Sequence, residues 1–98
     1  MKRVVQTVFP QDPFLSEPVM LGAAIRAMRT SQGMTIEEAA MTIGVAKQTL
    51  SDIETGKPTV GWGIVLMAAN NLGVSLFMVP NKDRERVRKL ILDRGVSK

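Results

Sequence analysis

The chain has 98 residues, of which 45% are hydrophobic and 22% charged, and a net charge of +4, so we expect a single soluble domain. It contains neither cysteine nor histidine, which excludes disulfides, thiolate metal sites and the imidazole base of the standard catalytic triads. The longest apolar run, residues 64–69, is too short to span a membrane, and no secretory signal is evident at the start. We therefore expect a cytoplasmic protein that is not an enzyme, binds no metal and no cofactor, and does not associate with a membrane.

The first 18 residues predict a strand followed by a connector. The segment Arg3–Phe9 is rich in β-branched residues and ends at Pro10, which is typical of an edge strand. Residues 10–18 contain three prolines, which indicates a turn-rich connector.

Four helices are predicted between residues 19 and 72. The first covers about residues 19–32 and has an inner apolar face at helical spacing. The second begins after Thr35, which forms a capping box with Glu38, and ends at Gly44 after two turns. The third covers about residues 47–55 and the fourth about residues 62–72. Two short helices joined by a glycine turn are typical of a helix-turn-helix.

The fourth predicted helix and the segment after it indicate a dimer. That helix is apolar around most of its circumference, and Val74–Val79 has the pattern of a strand with two apolar faces. Because one small domain leaves part of this surface exposed, we expect the strands of two copies to pair, with Arg3–Phe9 adding to the same sheet. The alternative is a monomer in which Arg3–Phe9 covers the strand within one chain. The expected interface residues are Trp62, Leu66, Val74, Leu76, Phe77, Met78 and Val79.

The last segment predicts a basic helix. Residues 82–98 carry seven basic and three acidic side chains, whereas residues 1–81 carry six of each sign. A solvated helix face is the preferred interpretation, and a contact with phosphates is the alternative. The chain thus divides into an N-terminal strand and proline-rich connector (residues 1–18), a DNA-binding domain with a dimerisation strand (residues 19–80) and a basic helix (residues 81–98).

The third predicted helix begins with the side chains that a DNA-reading helix needs. The major groove accepts one α-helix, so base contacts come from short or hydrogen-bonding side chains. Lysine can donate to guanine, glutamine can pair with adenine, and serine or threonine suit several base edges. The candidates are Ala46, Lys47, Gln48, Thr49 and Ser51. On these features alone, an αα-hairpin with a solvated polar face explains the pattern equally well.

The string TIEEAAMTIGVAKQTLSDIETGK, residues 35–57, resembles the core pattern of the lambda-repressor-like (Xre/Cro-type) helix-turn-helix family. The match includes the threonine cap, the alanine at the helix crossing, the glycine-valine turn and the closing Ile-Glu-x-Gly-Lys. It implies a mainly α fold, a bundle of four to five helices with a small strand pair contributing to a dimer sheet. The first residues of the third helix then read bases. The DNA contacts implied are Thr35, Ala46, Lys47, Gln48, Thr49, Ser51 and Lys57.

Two positions depart from the family pattern, and one pair follows it. Ile36 stands where the family often has a phosphate-binding glutamine, and Ala46 stands where serine or threonine commonly caps the third helix. The resemblance also implies an ion pair between Arg29 and Glu54 that bridges the first and third helices. Composition alone favours two independent surface charges there.

Within the family, the chain is most similar to HipB-like antitoxins. The similarity rests on residues 56–60, the apolar fourth helix and the segment Val74–Val79, which such antitoxins use to build a sheet across their dimer. It implies a homodimeric repressor that binds a palindromic operator in double-stranded DNA, autoregulates its operon as the antitoxin of a type II pair, and binds a HipA-like kinase toxin. The alternatives are a stand-alone phage- or plasmid-type regulator and a protein-binding adaptor.

Overall fold

The computed structural model describes residues 3–96, with side chains through residue 93. Its helices are α1 (Pro18–Ser31), α2 (Ile36–Ile43), α3 (Lys47–Glu54), α4 (Trp62–Leu72) and α5 (Arg84–Val96), and a 3-10 turn at Asn81–Asp83 leads into α5. The predicted mainly helical fold is therefore confirmed. No helix in this part of the chain is both long and apolar enough to cross a membrane.

The core lies where the apolar faces of α1, α2, α3 and α4 meet. Ile25, Leu50 and Leu72 are its largest fully buried side chains. Burying each of them contributes roughly 1.5–3 kcal/mol by removing apolar area from water. Five alanines fill the spaces between the helices and let their backbones approach closely, namely Ala24, Ala39, Ala40, Ala68 and Ala69.

Gly22 sets the contact between α1 and the end of α3. A Cβ added at Gly22 would lie 2.4 Å from the carbonyl oxygen of Ile53 and 2.5 Å from that of Glu54. These are backbone atoms, which cannot move without shifting α3 itself. The close approach therefore requires glycine in a helix, where alanine is otherwise favoured by about 1 kcal/mol.

The connection between α2 and α3 is fixed by local interactions. The predicted capping box is present at the start of α2, because Thr35 Oγ1 accepts from Glu38 N–H and the Glu38 carboxylate accepts from Thr35 N–H. The turn after α2 passes through Gly44 with φ of +89°, a left-handed conformation that favours glycine. The sequence thus determines both ends of α2.

The two predicted strands are wrong for this structure. No β-strand occurs among residues 3–96, and both Arg3–Phe9 and Val74–Val79 lack regular secondary structure. A strand needs a second extended segment for its backbone hydrogen bonds. Instead, the first segment attaches to α1, where Thr7 N–H donates to Thr30 Oγ1 at 3.1 Å. The second begins at Val74, which is buried in the core with 5% of its surface exposed.

The connector before α1 packs against α5, in a cluster that we call the terminal clasp (Asp12, Phe14, Arg84 and Arg88). The guanidinium carbons of Arg84 and Arg88 lie 4.9 and 5.0 Å from the centre of the Phe14 ring. Arg88 Nε also lies 3.4 Å from Asp12 Oδ1. Phe14 N–H donates to Asp12 Oδ1 at 3.0 Å, and this bond, together with Arg88, lowers the pKa of Asp12. Two of the basic residues of the last helix therefore hold the connector.

Candidate DNA-binding surface

Helix α3 turns one face to the core and presents the other to solvent. Leu50 and Ile53 point inward and are buried. The predicted readers Lys47 and Gln48 are exposed, and Ser51 is half-buried. The structure therefore brings these three side chains to one end and one side of a helix whose opposite side is anchored.

The other predicted DNA contacts lie at the start of α3 (Ala46 and Thr49), at the start of α2 (Thr35) and beyond the end of α3 (Lys57). Ala46 is the exposed N-cap of α3 and makes no side-chain capping bond, in keeping with its departure from the family pattern. A missing cap of this kind costs about 1 kcal/mol of helix stability. Thr49 is half-buried, as is Thr35 at the N-terminus of α2. Lys57 follows α3 and is exposed.

Acidic side chains contact three of the predicted DNA contacts. Lys47 Nζ lies 3.1 Å from Glu37 Oε2. Gln48 Nε2 donates to Asp52 Oδ1 at 2.9 Å, and Lys57 Nζ lies 4.0 Å from Asp52 Oδ2. Exposed pairs of this kind contribute about 0–1 kcal/mol, so DNA can displace them at small cost. Asp52 is thus the partner of Gln48 within α3.

An ion pair fixes the far end of α3. Arg29 Nε donates to Glu54 Oε2 at 2.6 Å and Arg29 Nη2 donates to Glu54 Oε1 at 2.9 Å. Arg29 Nη1 also donates to the carbonyl oxygen of Met34 at 2.8 Å. Each charged residue has 8% of its surface exposed. The guanidinium therefore ties together α1, the loop before α2 and the end of α3.

The sequence that forms this geometry matches a known protein family. A family model, helix-turn-helix (HTH_3), matches residues 25–78, more than half of the chain and the whole of α2 and α3. The chain belongs to the helix-turn-helix family. It is a DNA-binding transcription regulator, and its family is one of regulators rather than enzymes.

The helix-turn-helix regulator has relatives by sequence and by structure. It is 32% identical over 72 residues to the uncharacterised HTH-type transcriptional regulator y4mF of Sinorhizobium fredii (strain NBRC 101917 / NGR234). The aligned region covers 74% of this chain and 95% of that protein. Two solved structures are similar to this chain at 22% sequence identity. Each match covers 69% of this chain and 96% of the chain in the solved structure. One is a HipA–HipB–O2–O3 complex, with a TM-score of 0.62, and the other is a HipB–O4 20mer complex, with a TM-score of 0.61. At this identity the likeness establishes a shared fold.

The residues predicted at a dimer interface form three groups in the regulator. Trp62, Phe77 and Met78 are exposed, with 55%, 60% and 97% of their surfaces in contact with solvent, and Leu76 is exposed to a smaller degree. Leu66 and Val79 are half-buried. Val74 differs from the others because it belongs to the core of its own chain. The exposed residues lie at the start of α4 and in the segment after it.

Sequence reasoning missed two features that position the surface. The backbone contact at Gly22 was not anticipated, although a glycine inside a helical pattern is itself a sign of close packing. The contact of Lys47 with Glu37 was also missed, because it joins two helices across the turn. Both features act on α3, so they bear directly on DNA binding.

Proposed function

We propose that the protein is a transcriptional repressor that inserts α3 into the major groove of its operator. The observation that carries this proposal is the exposure of Lys47 and Gln48 at the start of a helix that the core holds in place. Ser51 is the third base contact, and Ala46 and Thr49 lie against the neighbouring groove wall. Thr35 and Lys57 bind the phosphates on either side, since phosphate contacts set the register of a reading helix.

The repressor binds a palindromic operator as a homodimer. Trp62, Phe77 and Met78 support this because they are three large apolar side chains that one chain leaves exposed. The segment Val74–Val79 has no ladder partner among residues 3–96, so pairing with the same segment of a second copy would satisfy its backbone. Such a dimer places two copies of α3 about 34 Å apart, one turn of DNA.

We further propose that this repressor is a cytoplasmic, nucleoid-associated antitoxin that autoregulates its operon. The fold shared with HipB supports this, together with the HipA–HipB–O2–O3 complex among the similar structures. Its partner would then be a HipA-like kinase toxin. A stand-alone regulator with the same DNA-binding surface is the second candidate. The product of the adjacent reading frame distinguishes them, because an antitoxin co-purifies with a kinase-like neighbour and a stand-alone regulator does not.

The DNA-binding proposal is tested by recovering a preferred duplex from a random-sequence pool and titrating the protein against it. Replacing Lys47 or Gln48 by alanine should weaken binding by roughly 1–3 kcal/mol and relax the preference at one base pair of each half-site. The matched control is Lys89→Ala on α5, which removes an exposed lysine outside the helix-turn-helix. Binding of both α3 variants at the wild-type affinity would show that α3 does not read the operator.

A further inference from the structure

A cleft beside α3 carries positive charge that none of the predicted DNA contacts uses. It has a volume of about 570 Å³ and opens to solvent between the N-terminal segment, α1 and the helix-turn-helix. Its lining includes Arg3 from the N-terminal segment and Arg26 from α1. Thr35 and Ser51, two of the predicted DNA contacts, lie on the same cleft, which we call the arm cleft.

The arginines of the arm cleft differ in what they contact. The guanidinium of Arg29 is fully engaged by Glu54 and the carbonyl oxygen of Met34. Arg3 and Arg26 are exposed, and their guanidinium groups have neither a hydrogen bond nor an ion pair among the described side chains, residues 3–93. Because Arg29 and Glu54 neutralise each other, the cleft holds two uncompensated positive charges.

The N-terminal segment is held in place at two points. Thr7 N–H donates to Thr30 Oγ1, and the Thr30 hydroxyl donates to the carbonyl oxygen of Ala27, so the segment is attached to a buried residue of α1. Further along, the terminal clasp fixes the connector through Phe14 and Asp12. Arg3 therefore extends from an anchored segment, which reduces the entropy lost when its side chain binds a ligand.

We infer that Arg3 and Arg26 bind phosphates of the DNA backbone beside the bases that α3 reads. Arginine suits this role because its planar guanidinium pairs with phosphate through two hydrogen bonds. The cleft shares Thr35 and Ser51 with the reading surface, so a duplex seated on α3 brings its backbone to this rim. The inference rests on the proposed DNA-binding function and adds a second, sequence-independent set of contacts to it. Arg3 lies outside the residues that the helix-turn-helix family model matches.

The salt dependence of binding tests this inference. Each phosphate contact lowers the slope of log affinity against log salt by about 0.9, so raising the salt fourfold weakens binding about 3.5-fold per contact. In the proposed dimer, the double variant Arg3→Gln, Arg26→Gln removes four such contacts and should therefore lose about 150-fold less affinity than the wild type over the same fourfold range. At low salt, the double variant should lose the same factor in affinity, relative to the wild type, for the preferred duplex and for a scrambled duplex of the same composition. Arg26→Lys keeps the charge and should keep the wild-type slope.

The control variant removes one positive charge per chain elsewhere, so the changes of slope are compared per charge removed. Arg86→Gln lies on α5, where Arg86 Nη2 is 3.3 Å from Asp83 Oδ1, and its slope should equal that of the wild type. A wild-type slope in the double variant, or an equal change of slope in Arg86→Gln, would overturn the inference while leaving DNA binding by α3 intact. A wild-type protein that binds neither duplex would instead refute the proposed function.

Discussion

Removing Glu54 should destabilise the fold more than removing any exposed carboxylate. In the Glu54→Ala variant, the Arg29 guanidinium stays buried and loses both of its bonds to the carboxylate. Breaking a fully buried pair costs about 3–5 kcal/mol, because one charge remains uncompensated. Since both residues keep 8% of their surface exposed and Arg29 retains its bond to Met34, we expect the low end, about 3 kcal/mol.

Urea unfolding followed by circular dichroism measures this change in the free energy of unfolding. For a domain of this size, 3 kcal/mol corresponds to a fall in Tm of about 12–24 °C. The matched control is Glu37→Ala, whose carboxylate forms an exposed pair with Lys47 at 3.1 Å and should cost at most about 1 kcal/mol. A second variant, Arg29→Met with Glu54→Leu, removes both charges and should recover much of the lost stability. A Glu54→Ala protein as stable as Glu37→Ala would refute the reasoning from burial.

Three further predictions concern the helix crossing, the reading helix and the terminal clasp. Gly22→Ala should lower the free energy of unfolding by about 1–3 kcal/mol, because its methyl would meet two carbonyl oxygens of α3. The control Gly63→Ala, whose methyl would face open space, should be neutral or stabilising in the same urea titration. Asp52→Asn should raise the affinity for both the scrambled and the preferred duplex, because it removes a negative charge beside Gln48 and Lys57; wild-type affinity for both duplexes would contradict this. The pKa of Asp12 is lowered, so its contacts favour folding above the ordinary carboxyl pKa and are lost as the pH falls through the lowered value. The protection of the α5 amides from hydrogen exchange, relative to the intrinsic exchange rate at each pH, should therefore fall as the pH drops below about 4 in the wild type, and less so in Asp12→Asn.

The helices could be predicted because their signals are local. The capping box of Thr35 and Glu38, the turn at Gly44 and the apolar spacing of α1 each depend on residues within two turns of one another. The bounds of α2 and α4 were therefore predicted to within a residue. The resemblance to a family pattern added the pairing of Arg29 with Glu54, which no local signal indicates.

Neither the failure of the two predicted strands nor the terminal clasp could be predicted, since both depend on which segments meet in space. Val74–Val79 has the composition of a strand, but a strand exists only beside a partner, and one chain does not supply it. The contact of Arg88 with Asp12 spans 76 positions in sequence and joins two extensions of the helix-turn-helix domain. The close contact at Gly22 could not be predicted for the same reason, because the distance between crossing helices depends on tertiary packing.

The insertion of α3 into the major groove is tested most directly by cleavage from the helix itself. The natural chain has no cysteine, so Ala46→Cys provides a unique attachment point for an iron-EDTA cleaving reagent at the start of α3. Ala46 is exposed and makes no side-chain capping bond, so the substitution removes no described hydrogen bond. Bound to the preferred duplex, the conjugate should cut at two places about 10 base pairs apart, one for each copy of α3. A conjugate that binds this duplex but cuts it as evenly as a scrambled one would contradict the placement of α3 in the groove.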